Sequence, residues 1–274
     1  MQPFTVTRGS GPIVLAQPHG GTYVPDALLR RLNPRGQGLE DTDWHITQLY
    51  DQLLEGVTVV SANIHRYVID LNRDPEGGSL YPGQNTTGLC PTTNFDGLDI
   101  WMDGQAPSAD EIEARRVTYH APYHTALADE LNRVKSRHGY VILYDCHSIR
   151  SDIPFLFEGT LPVFSIGTMG GTTCAPAIEA ALHDICKDHL PDSTVVNGRF
   201  KGGWTTRHYG QPDQAEHAVQ MELAQRAYMD EAAPWTYRPD RANTLRPALG
   251  RILKSLCQLA TTVDLKSVKG TAHE

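Results

Sequence analysis

A chain of 274 residues has the length of one large α/β domain or two small ones, and its 40% apolar and 20% charged residues are ordinary for a globular protein. A net charge of −8 is not the basic balance of a nucleic-acid binder, so no nucleic-acid partner is expected. The five cysteines (Cys90, Cys146, Cys174, Cys186 and Cys257) show no CxxC spacing, no apolar run reaches membrane-spanning length, and Met1 to Val6 has no signal-peptide pattern; the expectation is a cytoplasmic protein with free thiols and no membrane partner.

In chain order, the apolar run Ile13 to Ala16 reads as a buried strand that stops at Pro18-His19-Gly20-Gly21. Pro25 to Leu32 suits a short helix. Asp41 to Leu54 places Ile46, Leu49, Tyr50, Leu53 and Leu54 at helical spacing. Val57 to Ser61 and Tyr67 to Leu71 read as strands. Asn72 to about Pro107 is rich in Gly, Pro, Asn and Thr and reads as a long functional loop, a candidate lid. Ala109 to Ser136 is the longest helical pattern, and Tyr140 to Tyr144 a strand ending at Asp145-Cys146-His147-Ser148. Pro176 to Lys187 reads as a helix and Thr194 to Asn197 as a strand. His217 to Leu223 alternates, with Glu222 on its polar side, and Ala242 to Ala260 closes the chain as a helix. Short strands alternating with helices predict a single α/β domain over residues 1–274, with its core at about 10–260 and its site in loops at strand ends.

Two histidines, His19 and His147, directly follow predicted strands. A catalytic zinc site takes three ligands from His, Asp and Glu and leaves one position open. Asp41 or Asp43 offers the carboxylate, although either also suits a helix N-terminus. Asp145 is placed to orient an imidazole. Gly20 and Gly21 would let the backbone approach a ligand closely. His120 and His124 lie four apart on a helix but lack the glutamate of the zincin pattern. Glu222, on the polar side of a buried strand, suits a general base as well as a salt bridge. Arg66, Arg73, Arg150 and Arg207 lie near these segments, and a guanidinium fork matches a carboxylate.

Taken in order, Pro18-His19-Gly20-Gly21, Asp41-Thr42-Asp43-Trp44-His45, Arg66-Tyr67-Val68-Ile69-Asp70-Leu71-Asn72-Arg73, Pro122-Tyr123-His124, Asp145-Cys146-His147-Ser148, Lys201-Gly202-Gly203 through Arg207, and Gln220-Met221-Glu222 resemble the N-formylglutamate amidohydrolases over roughly residues 10–255. The resemblance implies a mixed sheet flanked by helices, like that of the zinc carboxypeptidases and aspartoacylases (a phosphorylase/hydrolase-like fold). It implies metal ligation by His19 and His147. Those relatives have a glutamate three residues after the first histidine; here Thr22 stands there, so Asp43, then Asp41, is the expected third ligand. It further implies Glu222 as general base, Arg66 at the oxyanion, and Asn72 and Arg73 on a substrate carboxylate, with Arg207 and Arg150 as further carboxylate contacts.

The implied reaction is hydrolysis of N-formyl-L-glutamate to formate and L-glutamate in histidine degradation. It would use one divalent ion, zinc before cobalt, manganese or nickel. The alternatives are deacylation of another N-acyl acidic amino acid, such as N-acetylaspartate, and dicarboxylate binding without turnover.

Overall fold

Four parallel strands form the middle of the sheet in this computed structural model, which describes residues 2–78, 83–259 and 263–266. In chain order the elements are β1 (Phe4–Thr7), β2 (Ile13–Gln17), α1 (Asp26–Leu29), α2 (Pro34–Gln37), α3 (Ile46–Tyr50), β3 (Thr58–Ala62), α4 (Ala109–Arg115), a π-helical turn (Arg116–His120), α5 (Ala121–His138), β4 (Val141–Ile149), β5 (Phe164–Gly167), α6 (Pro176–His189), β6 (Thr194–Val196), α7 (Trp204–Tyr209), β7 (Glu216–Ala224) and α8 (Pro239–Leu259). The seven strands lie in the order β1-β3-β2-β4-β7-β5-β6. β3, β2, β4 and β7 run parallel; β1 is antiparallel to β3 and β5 to β7, so the sheet is mixed as expected.

Both faces are covered. Ile13, Leu15, Ile142, Tyr144, Val219 and Met221 join a core completed by Ile178 and Leu182 of α6 and Leu249 and Leu253 of α8. Val14, Ala16, Val60, Val141, Leu143 and Ala218 face the other way, against Tyr123, Leu127, Leu131 and Val134 of α5. Those α5 positions recur every three or four residues, the spacing of one helix face. The second sheet face changes character along its length. Leu143 and Ala218 are apolar, but two and four residues further on stand Asp145 and His147 of β4 and Gln220 and Glu222 of β7. Alternation keeps all of them on one face. The site is therefore the carboxyl-end continuation of a core face.

The structure corrects several expectations. β4 runs through Ile149, so Asp145 and His147 sit inside a strand and not in a loop after it. Within Asp41 to Leu54 only Ile46–Tyr50 is helical; Asp41 and Asp43 lie in turns before it. Tyr67 to Leu71 is not a strand. Its buried backbone is satisfied by side chains and a neighbouring loop: Arg115 Nη1 donates to Val68 O at 2.9 Å, His124 Nε2 lies 2.8 Å from Leu71 O, and Asp70 N–H donates to Leu89 O at 2.7 Å. The long helix is interrupted by the π turn just before Pro122, which has no N–H for the preceding turn and would crowd its carbonyl. β1, β5, α2 and α7 were not anticipated. Ala260 of the closing helix and residues 79–82 of the 72–107 stretch lie outside the described residues.

Candidate metal centre and active-site cavity

His19 follows β2, Asp43 precedes α3 and His147 lies on β4, and all three are buried. Their facing atoms form a small triangle. His19 Nδ1 lies 3.2 Å from His147 Nδ1, His147 Nδ1 lies 3.2 Å from Asp43 Oδ2, and His19 Nδ1 lies 3.9 Å from Asp43 Oδ2. Bonds of about 2.0–2.2 Å to a tetrahedral ion set its ligands about 3.3–3.6 Å apart. Two edges are slightly tighter than that and one slightly looser, so the donor set fits a metal ion. Backbone contacts hold the triangle: Asp43 N–H donates to His19 O at 3.0 Å, and Ser148 N–H donates to Asp43 Oδ2 at 3.1 Å.

The far nitrogen of each imidazole meets a carboxylate. His19 Nε2 lies 2.7 Å from Asp70 Oδ1, and His147 Nε2 lies 3.0 Å from Asp145 Oδ1. A proton on each Nε2 leaves both Nδ1 lone pairs aimed into the triangle, the arrangement a metal ligand needs. Thr206 of α7 donates to Asp145 Oδ2 at 3.0 Å, fixing that carboxylate in turn. Burial, with Arg66 adding, lowers His19 to about 4, so it stays neutral. Burial opposes a charge on His147, but Asp145 and Asp43 outweigh it and raise that pKa well above the usual imidazole range. Four carboxylates (Asp43, Asp70, Asp145 and Glu222) thus surround a position that favours positive charge.

A cavity of about 570 Å³, counting its open mouth, rises from this floor. His19, His147, Arg66, Asn72, Arg73 and Glu222 all line it. Glu222 is the sheet neighbour of His147, and Gln220 Nε2 donates to its Oε2 at 3.0 Å. Gly203 N–H donates to Gln220 Oε1 at 2.6 Å, so the amide cannot swing away. Position 203 tolerates only glycine, because a Cβ there would stand 2.2 Å from Asn72 Nδ2. Burial pushes Glu222 up to about 8, with Asp43 and Asp145 adding and His147 and Arg66 opposing. A positive charge at the donor triangle would draw it back toward ionisation.

Arg66 Nη2 donates to Asp43 Oδ1 at 2.5 Å, and its guanidinium lies 4.9 Å from the centre of the Phe95 ring. Arg73 donates to Thr87 O and Thr87 Oγ1, at 2.9 and 3.0 Å, and stands 3.5 Å from Asp70 Oδ2. Asn72 Nδ2 lies 3.0 Å from His147 Nε2, while its Oδ1 accepts from Thr205 N–H at 2.8 Å.

Other expected residues are elsewhere. Arg150 and Arg207 do not line the cavity: Arg150 donates to Asp96 at 2.8 Å, and Arg207 Nε donates to Gly202 O at 2.8 Å from α7. Asp41 faces away from the histidines and accepts from Tyr67 Oη and Phe95 N–H, at 2.8 and 2.9 Å. Burial raises it to about 7. Gly21 serves packing, not a ligand: a Cβ there would stand 2.4 Å from the Asn63 carbonyl carbon.

The sequence pattern of the N-formylglutamate amidohydrolases matches residues 11–229. The N-formylglutamate deformylase of Pseudomonas aeruginosa is 47% identical over 250 residues, which are 91% of this chain and 94% of that protein. The chain belongs to the N-formylglutamate amidohydrolase family. Its counterpart in Pseudomonas putida is 45% identical over 91% of this chain and 93% of that one. The crystal structure of the N-formylglutamate amidohydrolase from Ralstonia eutropha JMP134 shares the fold with a TM-score of 0.77 at 22% identity, covering 95% of this chain and 99% of that chain.

Within this family member, sequence reasoning passed over Asp70, Gln220, Thr206 and Arg199, which touch the expected residues or line the cavity. Asp70 carried a signal, as a carboxylate next to an apolar run, and Gln220 shares the period-two face of Glu222. Thr206 and Arg199 carried none, because only the fold brings α7 and the segment after β6 to the sheet end.

Proposed function

We propose that this chain hydrolyses N-formyl-L-glutamate to formate and L-glutamate, with one divalent ion, zinc first, at His19, Asp43 and His147. The observation that carries the reading is the convergence of the donor triangle, Glu222 and the arginines on one cavity. The 47% identity to a named deformylase over nearly the whole chain supports the substrate.

When bound, a divalent ion supplies Lewis-acid polarisation of the amide carbonyl and activation of a water. Glu222 Oε1 or Oε2 takes the proton as that water attacks the formyl carbon. The carbon–nitrogen bond then breaks, and Glu222 returns the proton to the departing amino nitrogen. Arg66 directs N–H groups at the oxygen on which negative charge develops, and Asp43 holds its fork in place. Asn72 and Arg73 hold a substrate carboxylate beside the reacting amide. Phe95 and the neighbouring apolar wall keep bulk water away, which strengthens each of these contacts.

A formate-release assay on N-formyl-L-glutamate, run beside N-acetyl-L-aspartate with and without chelator, tests the reading. Turnover of the formyl substrate, abolished by chelation and restored by zinc, is expected. Preference for the acetyl substrate would overturn the substrate assignment, and full activity after exhaustive chelation would overturn the metal.

A further inference from the structure

We propose that Gln220 is a positioning residue that fixes Oε1 of Glu222 as the oxygen that takes the proton and returns it. The inference rests on the hydrolytic function proposed above and deepens it, by deciding between the two oxygens of the base.

Alternation on β7 places Gln220 two residues before Glu222 on the same sheet face. Gly203 N–H donates to Gln220 Oε1 at 2.6 Å, and a backbone N–H can only donate, so the oxygen end of this amide is fixed. The nitrogen end then faces Glu222, and Nε2 donates to Glu222 Oε2 at 3.0 Å. Gly203 is itself held. It lies directly before α7, where Thr205 N–H donates to Asn72 Oδ1 at 2.8 Å and Thr206 Oγ1 donates to Asp145 Oδ2 at 3.0 Å. Gln220 is buried, so bulk water does not compete for either of its bonds.

Glu222 has no other hydrogen-bond donor among the described residues. Oε2 is therefore tied to its own strand, while Oε1 is open to the cavity that Glu222 lines. The pair is chemically one-sided. A glutamine amide nitrogen donates and does not accept, so a proton on Oε2 would be set against an N–H. A proton held by Glu222 therefore sits on Oε1. In the first step an O–H bond of the attacking water breaks, the proton goes to Oε1, and the electron pair left on the water oxygen forms the bond to the formyl carbon. In the second the carbon–nitrogen bond breaks, its electron pair stays on nitrogen, and nitrogen takes the proton from Oε1. Both transfers use one cavity-facing oxygen, with no rotation of the carboxyl group between them. A carboxyl group without this tether would spread over rotamers, only some of which reach the water.

The test compares zinc-loaded wild type, Gln220→Met and Gln220→Asn on N-formyl-L-glutamate. Methionine is similar in size and has no side-chain N–H; asparagine keeps the amide but is one methylene too short to reach Gly203 and Glu222 together. Both variants should keep stoichiometric zinc and a KM within about 3-fold, while kcat falls by about 10–10²-fold. The asparagine variant guards against a methionine variant that fails to fold. In a Glu222→Gln background, Gln220→Met should lower kcat by no more than about a further 3-fold, because the residue acts through Glu222. A loss carried mainly by KM, or one that persists undiminished in the Glu222→Gln background, would make Gln220 a brace for α7 only and overturn the proposal. Crystal structures of wild type and Gln220→Met read the same point without turnover. A single Glu222 rotamer in wild type and several in the variant supports the proposal; an unchanged Glu222 in the variant overturns it. Absence of formate release from wild type overturns the hydrolase reading instead, and the crystal comparison still decides whether Gln220 holds Glu222.

Discussion

Two histidine pairs lie close to the cavity, and their surroundings make them chemically different. His19 follows one strand and His147 lies on another, and they face one another across 3.2 Å, with Asp43, Asp70 and Asp145 around them. His120 and His124 are one helical turn apart, with ring centres separated by 4.3 Å, and have Trp204 and Tyr209 as neighbours. Their outer nitrogens meet backbone oxygens: His120 Nε2 lies 3.1 Å from Arg73 O and His124 Nε2 lies 2.8 Å from Leu71 O. The first pair has carboxylates to hold a cation. The second takes the place of a missing strand neighbour and braces the backbone on either side of Asn72. The four-residue spacing of His120 and His124 is a weak metal signal, because carboxylate neighbours, not histidine spacing, decide what an imidazole can do here.

The comparison is broken most severely by removing the first pair. His19→Ala and His147→Ala should each lose stoichiometric metal and at least about 10³-fold in turnover, read by elemental analysis and formate release. Retention of full metal in both would refute the centre. Glu222→Gln should cut kcat by about 10²–10⁴-fold and keep its metal, separating the proposed base from the ligands. Asp70→Asn and Asp145→Asn, which meet the imidazoles at their far nitrogens and not at the donor triangle, should weaken metal affinity by about 10–100-fold in a chelator competition.

His124→Leu should act in the opposite way. Metal content stays stoichiometric, while the buried Leu71 carbonyl loses its donor at a cost of about 1–3 kcal/mol in denaturant unfolding. The pH dependence sharpens the contrast. Burial, with His120 adding, lowers the folded pKa of His124 from 6.5 to about 3. Between those values the unfolded chain binds the extra proton, so this group makes stability rise with pH from about 3 to 6.5 and fall on acidification. The His124→Leu variant should show a shallower loss of stability from pH 6 toward pH 4 than wild type; an unchanged slope would mean that His124 is not held neutral in the fold.

Much of this was legible in the residues. Ile13 to Ala16, Val57 to Ser61, Tyr140 to Tyr144 and the alternating His217 to Leu223 announced all four parallel strands, because a buried strand must be apolar or must place its polar residues on one side. Helical spacing on α5, α6 and α8 announced the layers that cover them. Tyr67 to Leu71 misled for a clear reason: an apolar run reports burial, and burial can be met by a loop whose backbone groups find side-chain partners. Arg150 and Arg207 stand outside the cavity lining, because nearness in sequence to a site loop says nothing of which way a long side chain turns.

By itself, then, the sequence determined the alternation of buried strands and helices, and the family to which the chain belongs. Only the tertiary structure brought Asp43, and not Asp41, beside His19 and His147, and brought Asp70 and Asp145 to the outer nitrogens. Periodicity is a local consequence of backbone geometry and can be read along the chain. The meeting of side chains 128 residues apart depends on strand order and register, which long-range pairing alone sets.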